Sequence, residues 1–239
     1  MSRSNEQDQT TVTARETEDL MSVLGHELRS PLTAIRGAAT LLLQAHRDLP
    51  PEKVRELLSV IDGAAARMAD RVEDVLVTGR LDGGRQQVFV EDVDVGDVVE
   101  DVLEAARTRN PGRRLRASAA LGGVRVQGDQ QRVTQVLRVL VDNAIRFSPP
   151  GSTVEVRAAR IEGRARIEVR DRGQGVAAAD RRRIFGRGVK LDSNAPGAGL
   201  GLYVAAGLLE VMGGEAGFEA RPGGGSTFWF TLPSRGMGK

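Results

Sequence analysis

The sequence predicts an α+β fold: a two-helix hairpin, then a mixed or antiparallel sheet with helices on one face. Three observations predict it. Apolar residues recur at alternating steps of four and three over the first third of the chain, the spacing of a packed bundle helix. Pro50-Pro51 interrupts that pattern once, because consecutive prolines cannot continue a helix interior. Beyond Gly83-Gly84 the period changes, and helical stretches mix with strand pairs rather than strictly alternating with them.

The first helix runs to about His46 on the seam Leu24, Leu28, Pro31, Ile35, Ala38 and Leu42. The second carries Val54, Leu58, Ile61, Ala65, Met68, Val72 and Val75. One hairpin gives a thin two-helix core, whereas two hairpins bury both seams in a four-helix bundle, so a homodimer is expected. Gly79 to Gln87 reads as a linker and Val88-Phe89-Val90 as a short strand. A helix follows from Val95 to Arg109, with Val98, Val99, Val102 and Leu103 on one face. Leu115 to Val126 reads as two short strands around Gly122-Gly123. Gln130 to Phe147 is helical, with Val133, Val136, Leu137, Leu140, Val141 and Ile145 inward, and Pro149-Pro150-Gly151 ends it. Thr153 to Ile161 and Ala165 to Val169 form a strand pair turned at Glu162-Gly163. A helix from Leu200 to Met212 closes at Gly213-Gly214, and Phe218 and Thr227 to Leu232 supply the last strands. The expected domains are a flexible segment 1–13, a hairpin 14–80, a linker 81–87, a second domain 88–233 and a tail 234–239.

Of the 239 residues, 40% are hydrophobic but only 3% aromatic, so the core is built from Val, Leu, Ile and Ala. The formal charge of +2 sets up no large field and by itself argues neither for nor against nucleic acid, although no nucleic-acid partner is expected. The absence of cysteine excludes disulfides, thiolate metal sites and cysteine nucleophiles. No apolar run approaches the roughly 20 residues that span a bilayer, and Met1 to Thr10 is polar, so a cytoplasmic location is expected.

His26 lies about 200° around the helix axis from Leu24, away from the seam, with Glu27 directly after it. An imidazole in water suits surface chemistry. Three glycine clusters have the character of phosphate cradles: Asp171-Arg172-Gly173-Gln174-Gly175, Gly197-Ala198-Gly199-Leu200-Gly201-Leu202 and Gly223-Gly224-Gly225-Ser226-Thr227. No P-loop ending occurs. Gly173-x-Gly175-x-x-Ala178 mimics a dinucleotide fingerprint, but Asp180-Arg181-Arg182-Arg183 lacks the apolar face of a crossover helix.

The order of these clusters resembles the kinase core of bacterial sensor histidine kinases, over about residues 18 to 233. His26-Glu27-Leu28-Arg29-Ser30-Pro31 is similar to the family's phospho-acceptor box, and Gln135 to Pro149, with Asn143, to its asparagine box. Asp171-x-Gly173-x-Gly175 resembles the first glycine box, Arg183-Ile184-Phe185 the phenylalanine box, and Gly197-x-Gly199-Leu200-Gly201-Leu202 the second glycine box. The resemblance implies an ATP-binding α/β sandwich behind the dimeric hairpin, and transfer of phosphate from Mg-ATP to His26, then to an Asp on a response regulator. Glu27 would take the imidazole proton. Asp171 would accept from the adenine amino group, and Asn143 would offer its amide oxygen to Mg²⁺. Arg146 would reach phosphate or ribose oxygens, Phe147 would pack on the base, and Lys190 would meet the γ-phosphate. Gly173, Gly175, Gly197, Gly199, Leu200, Gly201 and Thr227 would complete the nucleotide site, with Gly197 to Gly201 as a lid hinge. Ser30 stands where phosphatase-active members usually carry Thr or Asn.

Two departures from the family pattern stand out. Val139 occupies the place of a second asparagine, and Gly186-Arg187-Gly188 replaces an acidic residue and a second aromatic. They keep open a degenerate kinase serving as a dimeric docking scaffold. A gyrase-like or Hsp90-like ATPase is a further alternative, although that class places a Glu at the Val139 position.

Overall fold

The structure, a computed structural model, describes residues 25, 28–44, 49–191 and 198–234. These fall into two compact units whose boundary lies between Leu76 and Val77.

The first unit is helical. In α1 (residues 28–44) Ala38 is buried and Leu28, Pro31, Ile35 and Leu42 are half-buried, which is the expected seam. Leu24, His26 and Glu27 lie outside the described residues. In α2 (Pro51–Asp82) the expected seam holds at Val54, Ile61 and Met68 but shifts by one residue between them. Leu57 and Ala64 are buried, whereas Leu58 and Val72 stand 52% and 45% exposed. A seven-residue interval divides equally well as four and three or three and four, and apolar residues flank both choices. The helix therefore carries two adjoining apolar stripes, and Leu58, Ala65 and Val72 form the uncovered one.

α2 continues through Gly79 to Asp82, where the sequence suggests a linker. Its last turns belong to the second unit. Val77 is fully buried in that unit's core, and Leu81 lies so close to Gly207 that a Cβ there would meet Leu81 Cδ1 at 2.6 Å. The Tyr203 hydroxyl donates to Asp82, and Arg187 pairs with the same carboxylate at 3.1 Å.

In the second unit β1 (Glu91–Asp94) pairs antiparallel with β3 (Arg125–Gly128). β2 (Arg114–Ala117), β4 (Thr153–Ile161), β5 (Arg164–Arg170), β7 (Ser226–Pro233) and β6 (Glu215–Ala220) form a five-stranded sheet in that order. Only β2 and β4 run parallel, so the sheet is mixed. The two strands expected around Gly122-Gly123 enter different sheets. Val88 to Val90 is not a strand: Phe89 is 81% exposed, and pairing starts at Glu91, whose strand buries only Val93. Three consecutive apolar residues gave a false strand signal there.

Helices α3 (Val95–Arg109), α4 (Gln130–Phe147) and α5 (Gly201–Val211) cover one sheet face. Asp94 and Asp129 cap α3 and α4 by accepting from Gly96 N at 2.8 Å and Arg132 N at 3.2 Å. All six inward positions expected on α4 are buried against Ala165, Ile167 and Val169 of β5 and Phe228, Phe230 and Leu232 of β7. The β4–β5 turn sets Glu162 at φ 42° and Gly163 at φ 78°, both left-handed, which matches the twist of a tight hairpin. Among the described residues no helix is long and apolar enough to cross a membrane.

Candidate functional site

The C-terminal end of α4, the loop after β5 and the turn before β7 converge on Asp171, which is only 2% exposed. Its Oδ1 accepts from Gly173 N at 2.7 Å and Ser226 N at 3.1 Å. Its own N–H donates to Ser226 O at 2.9 Å, extending the β5–β7 ladder by one residue. Two glycines make the approach possible. A Cβ on Gly173 would meet the Phe147 carbonyl oxygen at 2.5 Å, and one on Gly225, at φ 99°, would meet Asp171 O at 2.2 Å. Burial pushes the Asp171 carboxyl above the ordinary carboxylate range. The Gly173 and Ser226 hydrogen bonds and the Arg221 guanidinium act in the opposite sense.

Along the outer turns of α4, Asn143 is half-buried and Arg146 exposed, with the Arg146 guanidinium carbon 5.7 Å from the Phe147 ring centroid. One turn earlier, Val139 Cγ1 sits 3.2 Å from where a Cβ of Gly201 would be, so α5 begins directly against α4. Leu200 precedes α5 without a side-chain capping bond. The first N–H groups of this 11-residue helix lie at the positive end of its dipole and receive no capping bond from the Leu200 side chain. Gly199, at φ 70°, packs on the segment after Phe185: its Cβ would meet Gly188 C at 2.6 Å and Val189 O at 2.8 Å. The second glycine box and the phenylalanine box therefore share one contact.

The structure brings Phe147, Asp171 and Gly173 together, and sets Gly199, Leu200 and Gly201 at the start of α5. Gly175, at φ 76°, continues the Asp171 loop and would place a Cβ 3.6 Å from Gly225 O. Lys190 is exposed and joins none of these contacts, Ser30 is exposed on α1, and Gly197 lies outside the described residues. Thr227 pairs with Arg170 and Glu219, on the face of β7 shared with Trp229. Ser226, on the opposite face with Phe228 and Phe230, is the residue that reaches Asp171. Strand alternation through Phe228, Phe230 and Leu232 is the sequence signal that points to it. Arg221, whose Nη1 donates to Asp171 O at 2.7 Å, had no such signal.

Comparison with known proteins fits this geometry. Residues 16–84 match the His Kinase A (phospho-acceptor) domain, and residues 128–236 the histidine kinase-, DNA gyrase B- and HSP90-like ATPase family. Sensor protein DivL of Caulobacter vibrioides is 36% identical over 90% of this chain and 28% of its own length. The sensor-like histidine kinase SenX3 of Mycobacterium tuberculosis is 33% identical over 90% of this chain and 53% of its own. The chain thus spans about a quarter to a half of the length of these curated relatives. Full-length ShkA, solved in complex with AMPPNP, is similar at TM-score 0.63 and 30% identity, over 91% of this chain and 46% of ShkA. With a phospho-acceptor domain followed by an ATPase-type domain whose glycine loops close around a buried aspartate, the chain belongs to the histidine kinases and carries their catalytic core.

Proposed function

We propose that this chain is an ATP-dependent protein-histidine kinase of a two-component system. It phosphorylates itself on His26 and passes the group to an Asp of a response regulator. The observation that carries the nucleotide half is the Asp171 cradle: a buried carboxylate fixed by two backbone N–H groups, at the end of a strand, in a loop packed on the main chain of Phe147. Such a carboxylate accepts from the exocyclic amino group of adenine, which guanine replaces with a carbonyl. Phe147 packs on the base. The uncapped start of α5 receives the phosphates, and Arg146, Lys190 and the loop through Gly197 and Gly199 close on them. Ser226 takes the place in this pocket that Thr227 was expected to hold.

A lone amide oxygen at Asn143 suits Mg²⁺, an ion that keeps several waters and shares phosphate oxygens. When bound, Mg²⁺ neutralises charge on the departing γ-phosphoryl group. The His26 ring nitrogen donates its lone pair to the γ-phosphorus. As the N–P bond forms, the bond to the β,γ-bridging oxygen breaks and ADP leaves. Glu27 accepts the proton from the other ring nitrogen.

The uncovered stripe at Leu58, Ala65 and Val72 supports homodimerisation through the hairpin, since a second copy would bury it. Val139 favours one competing reading, a docking scaffold, because α4 meets α5 there through a methyl group rather than an amide. Incubation with γ-labelled Mg-ATP separates the two. Label that survives base and is lost in acid supports the kinase, and its absence under conditions where nucleotide binds supports the scaffold.

A further inference from the structure

The turn between β6 and β7 does more than connect strands. Arg221 closes it through its backbone: Arg221 N donates to Gly225 O at 3.2 Å, and Gly224 N donates to Arg221 O at 3.2 Å. The same residue reaches out with its side chain, Nη1 donating to Asp171 O at 2.7 Å. Gly225 is the point of closest approach, since any side chain there would drive into that same Asp171 carbonyl. The turn and the Asp171 loop are therefore clamped from both sides of one peptide unit. Arg172 adds a weaker tie in the other direction, Nη1 donating to Gly224 O at 3.4 Å.

This clamp carries an electrostatic cost. Burial and the neighbouring guanidinium groups of Arg172 and Arg170 depress the Arg221 guanidinium from its ordinary value, with Asp171 and Glu155 opposing them. Arg221, in the β6–β7 turn, faces the like charges of Arg170 and Arg172 at the end of β5, and Arg170 Nε is buried without a hydrogen-bond partner. A turn needed only to join two strands would be cheaper with a neutral residue at position 221.

We infer that Arg221 is a positioning residue for base selection: by fixing the Asp171 peptide it sets the angle at which the carboxylate meets the purine edge. The inference deepens the proposed ATP site and rests on it. Arg221 touches no nucleotide atom in this scheme. It acts through Asp171, whose carboxylate is anchored to Gly173 and Ser226 and whose N–H is held by Ser226 O, but whose carbonyl is held by the guanidinium. A shift of that peptide changes the match to adenine more than it changes contacts to phosphate, because the phosphate-facing start of α5 is a separate element.

The test is the ratio of Mg-ATP to Mg-GTP dissociation constants, measured by calorimetry on the full chain. Wild type prefers adenine. Arg221→Met removes the donor at similar length and lowers the preference about tenfold, chiefly by weakening ATP, as expected for one lost charge-assisted hydrogen bond. Arg221→Lys, which still presents a cation to the carbonyl, recovers most of the preference. Thermal unfolding is followed alongside, and Arg221→Gln replaces the methionine variant if that variant does not fold. A merely structural role would weaken both nucleotides equally or leave the ratio untouched, and either result overturns the inference. If wild type itself binds neither nucleotide, the ATP site is wrong and this inference falls with it, an outcome distinct from normal wild-type selectivity kept by the variants.

Discussion

Replacing Gly173 with alanine tests the cradle at its tightest point. The added carbon would lie 2.5 Å from the Phe147 carbonyl oxygen and 3.0 Å from Asp171 Oδ1. The first distance is about 0.8 Å inside the roughly 3.3 Å at which carbon and oxygen ordinarily touch. The obstacle is the backbone of the last residue of α4, so no side chain can rotate away. The loop has to back off from the helix, and the 2.7 Å bond from Gly173 N to Asp171 is stretched with it. Overpacking of this kind costs about 1–3 kcal/mol of stability. The weakened bond to a charged acceptor is worth about 1.5–3 kcal/mol at the carboxylate that would read adenine. Gly173→Ala is therefore expected to lower the unfolding midpoint and to weaken Mg-ATP binding at least about tenfold, since each 1.4 kcal/mol is a factor of ten. Calorimetry and thermal unfolding measure the two effects. Gly122→Ala is the control, because nothing lies within 4 Å of a Cβ there. If Gly173→Ala bound nucleotide and melted like Gly122→Ala, the packing of this loop against α4 would be refuted.

Tyr203 is the chain's single tyrosine, so phenolate absorbance reports it alone. Burial, then its hydrogen bond to Asp82, pushes the phenol up to about 12. The stabilisation it brings is complete below the ordinary value of about 10 and is lost as pH rises through about 12. Asp82→Asn should lower the apparent pKa while leaving it above 10, and no change would mean that Asp82 does not hold the phenol. Gly79→Ala, at an exposed helical position with no atom within 4 Å, should stabilise the chain by roughly 0.5–1 kcal/mol in denaturant titrations; destabilisation would show that α2 does not continue through residue 79. Val139→Asn places an amide beside the start of α5 and should raise the initial rate of phosphohistidine formation, whereas a lower rate would show that the apolar contact with Gly201 matters more.

Which parts of the fold the sequence discloses depends on how many alternatives each stretch allows. α4 has one apolar face and a polar remainder, so its bounds and all six inward residues read directly. α2 has apolar residues at both Leu57 and Leu58, and periodicity alone does not choose which one a neighbour covers. The helix end at Leu81 and Asp82 looks like a linker because Gly83-Gly84 follows; its partners, Gly207, Tyr203 and Arg187, are more than a hundred residues away. At the site, Asp171 and its glycines are visible as a motif because the constraint on them is local: close approach of backbone demands glycine. Ser226 is visible only after strand alternation is traced back from Phe230. Arg221 is invisible, because its role comes from a tertiary contact between two turns that nothing in its own neighbourhood announces.

The most direct measurement is phosphorylation of the purified chain with γ-labelled Mg-ATP, wild type beside His26→Gln. Wild type is expected to take up acid-labile, base-stable label, and the glutamine variant none while binding nucleotide normally. Equal label in both proteins would remove His26 as the acceptor, and free phosphate released with no phosphoprotein formed would point to an ATPase that uses water instead.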